Sequence, residues 1–387
     1  MNKIKLFISC IIGTMLEWYD FAVFGLLAPV LAKIFFPFTS HINALLISFL
    51  IFATGFAMRP IGGIFFGHIG DKYGRKKAIV PAVMLMTIAT VCIGLLPAKA
   101  NYFTVTALVF CRLAQGFAVA GEYAGVLTLI SEQTTPRKNM LYQGFLNSGM
   151  MAGFLLGSLV AKFALSHTFN FIASWRIPFL ISFLLGFFGL YLRLKINESP
   201  LHKILLINKK NNIHKIIFFE IFKKHLKTLF FVFVFTMGGS INVYFMLIYL
   251  PSYLHHLEPH SFHYLSISNI GVLSICLLSP FIGLLVRYFN ITTLIISGYL
   301  LMILIETPSI ILLTQYPQLI YTILPLLLYI PLILLTSIGY GLLTILFPVE
   351  VRYSAAAIAV NVSAALFGGT TPFVCWLIIK ITGWYFA

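Results

Sequence analysis

Acidic residues are scarce in this 387-residue sequence: 10 Asp and Glu stand against 26 Lys and Arg, and charged residues of both signs make up only 9%. A soluble globular domain carries about 25% charged residues. So little charge, beside 60% hydrophobic residues and a mean hydropathy of +0.99, excludes that class. Cysteine is sparse too. The five cysteines (Cys10, Cys92, Cys111, Cys276, Cys375) stand singly inside apolar stretches with no CxxC spacing, which excludes a disulfide framework and a zinc ribbon. No glycine-rich phosphate loop ending in GK[ST] is present, and no nucleophile–base or metal constellation, so neither ATP drive by such a loop nor an enzyme is expected, and no cofactor is called for. His255, His256, His260 and His263 have the density of a metal site, but they surround Pro259 without any cysteine and read as loop residues.

What the sequence does contain is hydrocarbon. Apolar runs of 18 or more residues recur from end to end, each long enough to cross about 30 Å of bilayer as a helix. The chain is therefore read as an all-α, polytopic membrane protein and not a barrel. Runs between polar breaks predict eleven spans: 4–33, 41–69, 78–98, 103–133, 140–166, 174–195, 228–254, 264–287, 291–313, 319–347 and 355–381. The first is not a signal peptide: it carries two acids, has no small-residue cleavage site and continues past Pro29.

The net charge of +16 raises the question of a nucleic-acid partner, but the basic residues are spread over loops instead of forming one face. Laid on alternate loops, 19 of the 26 Lys and Arg fall on one side, among them Lys3, Lys5, Lys72 to Lys77, Arg137, Lys138 and the stretch from Arg193 to Lys227. That asymmetry predicts a cytoplasmic N-terminus and, with eleven spans, a C-terminus on the opposite face. Lys72, Lys76 and Lys77 are expected to serve topology and anionic headgroups at the cytoplasmic face.

Two halves are legible. The lysine- and asparagine-rich segment from Asn197 to Lys227 separates six spans (1–195) from five (228–387). It reads as a cytoplasmic linker (196–227), partly an amphipathic helix around Ile213 to Leu226. Pro60–Gly67 at the close of the second span is echoed by Pro280–Leu285 at the close of the eighth. Glu132–Arg137 is echoed by Pro348–Arg352. Repeated halves of this kind mark secondary transporters, whose substrate site lies midway across the bilayer.

Gly67-His-Ile-Gly-Asp71-Lys-Tyr-Gly74-Arg75-Lys-Lys77 resembles the loop motif GxxxD(R/K)xG(R/K)(R/K) of the major facilitator superfamily at every defined position, and Arg112-Leu-Ala-Gln115-Gly116 resembles its RxxQG motif. Leu16–Phe21 (LEWYDF), Arg59–Gly63, Gly121-Glu-Tyr123, Trp175–Pro178, Tyr249–Tyr253 and Phe347–Tyr353 narrow the likeness to the metabolite:proton symporters, over nearly all of residues 1–385. The resemblance implies a helical bundle of two pseudo-repeated halves and proton-coupled import, by alternating access, of a small zwitterionic osmolyte such as proline or betaine. A dicarboxylate or similar organic acid, or an inactive truncated remnant, is the alternative. The family has twelve spans; the twelfth is expected to be missing here, and the second copy of the loop motif is eroded at Arg287 and Asn290. Expected partners are the solute, protons and the bilayer; the protein is read as a monomer in the bacterial inner membrane.

The residues supply a physical reading beside that likeness. Glu17 and Asp20, three apart, share one helical face, which must look into the bundle because charge toward lipid is costly. A buried carboxylate in a closing cavity can take and release a proton, so both are proton-coupling candidates. Arg112 is the expected counter-ion. Glu122 lies on the same span as Arg112 but about 80° round and roughly 15 Å along, so it needs another partner. A zwitterion needs a cation for its carboxylate and rings for its ammonium. Arg59, Trp18, Tyr19, Tyr244, Tyr249 and Asn361 are the candidates for that site. Asn242, in the seventh span, is expected to contact solute or bridge helices. Gly67, Asp71, Gly74 and Arg75 are expected to gate, with Asp71 pairing with Arg75 or facing the N-terminal dipole of the eleventh span in one conformation and losing that contact in the other. Glu306, before Pro308 in the ninth span, finds no role at this level.

Overall fold

The computed structural model describes residues 3–37, 41–169, 171–196, 198, 217–257, 263–286, 288–316, 319 and 324–382, which hold helices and no strand. The first six crossings are α1 (Lys3–Phe35), α2 with α3 (His41–Ala57 and Arg59–Tyr73), α4 (Arg75–Leu95), α5 (Tyr102–Ser131), α6 (Pro136–Ser166) and α7 (Ile177–Leu194). A short surface helix α8 (Ile217–Lys224) follows. The remaining five are α9 with α10 (Leu226–Tyr244 and Leu250–Leu257), α11 (His263–Leu285), α12 with α13 (Ile291–Leu301 and Thr307–Gln315), α14 (Leu324–Ile345) and α15 with α16 (Arg352–Ser363 and Thr371–Thr382). Among the described residues ten helical stretches are long and apolar enough to cross a bilayer, and the eighth, shorter in its described part, makes eleven apolar crossings. Arg287, the C-terminal residues 383–387 and most of the linker lie outside the described residues, as does most of the histidine-rich loop.

Breaks inside the crossings have local causes. Pro60 opens α3 where its missing N–H costs nothing, just past the Met58 break. Three wide π turns interrupt the seventh, ninth and eleventh spans at Phe245–Tyr249, Met302–Glu306 and Ala364–Gly368. Such turns recur at functional sites.

Small residues decide which helices touch. A Cβ on Gly116 of α5 would overlap the Gly55 carbonyl of α2, and one on Gly62 would overlap the Phe117 carbonyl, so α5 lies in backbone contact with the second span. Span five packs along span eight through Gly144 and Gly283, which face Ser279 and Met140. Span two packs along span eleven through Gly63, Gly67 and Gly70, which face Asn361, Ser354 and Tyr353. These two seams join the first six crossings to the last five.

Candidate solute cavity and buried acid cluster

Between the seams lies a cavity of about 70 Å³, several times the space one water needs. α1 supplies Trp18, α3 Arg59, α5 Tyr123, α9 Phe235, Ser240 and Tyr244, α12 Tyr299 and α15 Asn361. Arg59 is the one charged group among these walls. Its guanidinium sits 4.2 Å from the Phe56 ring centre and 4.6 Å from that of Phe21, and it reaches the Tyr244 hydroxyl at 3.5 Å. Its Nε has no acceptor, nor has the indole N–H of Trp18. Two residues of the same cavity wall therefore each carry a buried donor with no acceptor. Around them stand five rings: Trp18, Tyr123, Phe235, Tyr244 and Tyr299. Trp18 and Tyr123 meet edge to face at 5.8 Å.

Two aromatic candidates belong elsewhere. Tyr19 is turned away from the cavity, its hydroxyl donating to the Pro178 carbonyl at 2.7 Å, because one residue's rotation from Trp18 carries it to the α7 side. Tyr249 stacks on Tyr253 at 5.9 Å and meets Trp376 at 6.1 Å, past the cavity along the seventh span. Asn361 does reach the wall, but its amide donates to the Ala357 and Ala120 carbonyls at 2.8 and 3.3 Å, so it bridges α15 to α5. Asn242 faces away from the cavity, toward Glu306.

The acids gather separately, within the first six crossings. Glu17, Asp20 and Glu122 line a second hollow of about 10 Å³, near the least that holds a water, together with Gly13, Gly186 and Gly189. All three are nearly inaccessible, at 4%, 3% and 2%. Neither oxygen of Glu17 has a hydrogen-bond partner, and one oxygen of Asp20 has none. Glu122 does have one: Arg193 of α7, whose Nε donates to its Oε1 at 2.8 Å and whose Nη2 donates to the same oxygen. The guanidinium lies flat on the α1 backbone at Gly13, where a Cβ would strike it, one turn before Glu17.

Arg112 is not the counter-ion of these acids. Among the described residues no carboxylate lies within 4 Å of it; Nη1 donates to Gln115 at 2.7 Å and Nη2 to the Phe52 carbonyl at 3.2 Å. The rings of Phe24, Phe52 and Phe21 crowd its charge at 4.4, 4.9 and 5.2 Å. It sits on the α2 side of α5, whereas the acid face of α1 turns toward α4 and α7. Neutral acceptors and ring faces hold it in place of an ion pair.

The chain as a whole has known relatives. A family model described as Major Facilitator Superfamily matches residues 10–378. The chain belongs to the major facilitator superfamily. It is 34% identical over 385 residues to a proline/betaine transporter of Salmonella typhimurium, covering 95% of this chain and 76% of that one. It is 33% identical over 392 residues to the glycine betaine/proline/ectoine/pipecolic acid transporter OusA of Dickeya dadantii, covering 97% and 77%. Among solved structures, the proton:xylose symporter XylE superposes with a TM-score of 0.75 at 20% identity, covering 98% of this chain and 89% of that one. That likeness speaks for the fold alone.

In this facilitator the loop motif meets the start of α15. Asp71 pairs with Arg75 and accepts from the backbone N and hydroxyl of Ser354 at 2.9 and 2.6 Å, so it sits on the N-terminal turn of α15. Arg75 also donates to Glu132 at 2.7 Å and to the Val349 carbonyl at 3.3 Å. Both expected contacts of Asp71 are therefore made at once. Gly74, at φ +119°, takes a turn only glycine enters readily, and the freed N–H groups of Arg75 and Lys76 donate to Glu198 at 3.0 and 3.1 Å. Tyr353 closes the seam by donating to the Gly121 carbonyl.

Sequence alone assigns no site role to Arg193, Glu132, Glu198 or Tyr353. Arg193 stands in the last turn of α7, where a basic residue reads as a flank. The available signal was indirect: Glu122 needed a cation, and Arg112 on its own helix could not serve.

Proposed function

We propose that this chain is a proton-coupled symporter of the bacterial inner membrane that imports a small zwitterionic osmolyte such as proline or betaine by alternating access. The observation that carries this reading is the pair of acceptorless donors, Arg59 Nε–H and Trp18 Nε1–H, on one cavity wall ringed by aromatic faces. A carboxylate satisfies the donors, and the rings suit a secondary or quaternary ammonium. One lining cation matches one carboxylate. A dicarboxylate would leave a second anion unpaired in an apolar wall, which disfavours that cargo. The relatives' names point the same way.

In this reading Glu17, Asp20 and Glu122 bind the proton. Three acids share one guanidinium, so the cluster cannot hold every carboxylate ionised cheaply in a low dielectric. Residues 1–195 and 228–387 rock as two bodies about the linker 196–227, with both the N-terminus and the loop motif cytoplasmic. Asp71 and Arg75 are the latch of the cytoplasmic side, with Gly67 and Gly74 permitting the close contact. Arg112 is a fixed strut between α2 and α5. The linker lysines meet anionic headgroups.

Uptake of labelled proline and betaine into proteoliposomes under an imposed inward proton gradient tests the reading. Accumulation that a protonophore collapses is expected. Accumulation of a dicarboxylate with neither zwitterion moving would replace the cargo, and no flux of any of them would leave an inactive remnant.

A further inference from the structure

Glu306 ends the π turn of the ninth span, is only 5% accessible, and has one hydrogen-bonding group facing it: Asn242 Nδ2, at 2.7 Å from each carboxylate oxygen. Asn242 is equally buried, at 3%, and its Oδ1 has no partner. Among the described residues no cation answers the acid. On α9 the one basic residue is Lys227, fifteen positions before Asn242 and roughly 22 Å along the helix. α12, α13 and α14 carry no Lys, Arg, His or second acid. The tyrosines of these elements are occupied where described: Tyr299 donates to the Phe235 carbonyl at 3.1 Å, Tyr329 to the Met246 carbonyl at 3.3 Å, and Tyr244 faces Arg59.

An ionised carboxylate with a single amide donor and no cation is costly at such a place, and the arrangement also orphans the amide oxygen. One proton resolves both faults. A neutral Glu306 donates its O–H to Asn242 Oδ1 while its C=O accepts from Nδ2, closing a two-bond ring after a rotation of the amide about χ2. We propose that Glu306 is a second proton-binding site, in the last five crossings, and that its acid–amide ring with Asn242 fixes the cavity wall formed by the seventh span against the ninth.

The seam's geometry gives the ring its leverage. Among the described residues, spans seven and nine are hydrogen-bonded at two places seven residues apart on each: Tyr299 to Phe235, and Glu306 to Asn242. Gly239, Ser240, Val243 and Tyr244, flanking Asn242, line the solute cavity. Protonation tightens the seam and favours the solute-binding shape; loss of the proton loosens it. The effect on solute affinity rests on the symporter reading, whereas the protonation itself does not.

Infrared difference spectra of the purified full-length protein between mildly acidic and mildly alkaline pH test the site directly. A component of the protonated-carboxyl C=O band is expected to vanish in Glu306→Gln and to move to higher frequency in Asn242→Ala, where its hydrogen bond is lost. Spectra of Glu306→Gln that superpose on the wild type at every pH would overturn the proposal. Calorimetric titration with proline or betaine reads the consequence. Wild-type affinity is expected to fall several-fold toward alkaline pH, and Glu306→Gln, which keeps an amide in place of the neutral acid, to lose that component of the fall. An undiminished pH dependence in Glu306→Gln would overturn the coupling to the cavity. If the wild type binds neither solute, the cargo assignment fails and the infrared result still decides Glu306.

Discussion

Arg59 and Arg193 look alike in sequence and differ in what surrounds them. Arg59, on the cavity wall, keeps an unused donor, so in the symporter reading Arg59→Ala is expected to lose a charge-assisted hydrogen bond worth about 1.5–3 kcal/mol and to raise the KM for solute roughly ten- to hundredfold. Arg59→Lys keeps the charge without the fork and should fall between; initial uptake rates at varied solute concentration check both. Arg193 is spent on Glu122. Arg193→Leu leaves that carboxylate buried and unpaired, at about 3–5 kcal/mol. The melting temperature in detergent should drop, and Arg193→Leu with Glu122→Gln should recover most of it. A double variant no more stable than the single one would break the assignment. Glu17 and Asp20 were legible because an acid inside a long apolar run has few explanations. The partnership of Arg193 was not, since helical spacing fixes neighbours on one helix and says nothing of which other helix is near. Tyr19 and Tyr249 show the same limit: a tyrosine in the right span can face either way.

At the scale of the element, the eleven crossings were readable, because hydropathy over about 20 residues follows directly from bilayer thickness. The interruptions were not. The Met58 break and the three π turns depend on which neighbour a helix meets, and so does the eleventh span's packing on the second. Glycine tells the two kinds of position apart. Gly116 abuts the Gly55 backbone, whereas a Cβ on Gly239 meets nothing within 4 Å. Gly116→Ala is therefore expected to lower stability by about 1–3 kcal/mol through overpacking. Gly239→Ala should leave it unchanged or raise it by roughly 0.5–1 kcal/mol, as alanine favours helix. Thermal unfolding of the two variants side by side checks the contrast, and equal melting points would contradict it.

At the scale of the whole molecule, Asp71, Arg75, Glu132 and the first turn of α15 tie the second span to the eleventh at the loop-motif end. In the alternating-access reading those contacts break each cycle. Asp71→Asn removes the charge that meets both Arg75 and the helix N-terminus, so the inward-open state should gain population. A cysteine placed at the cavity residue Val360, in a background without the five native cysteines, should then be alkylated severalfold faster from the cytoplasmic side. An unchanged rate would remove Asp71 from the gate.

The central claim is that solute and proton cross together by way of the acids of the first helix. Its most direct test is the pH of a weakly buffered medium around proteoliposomes when proline or betaine is added. The account predicts alkalinisation outside as protons enter with solute, abolished in the Glu17→Gln, Asp20→Asn double variant. Solute entry with no pH change, or an undiminished signal in the double variant, would contradict it.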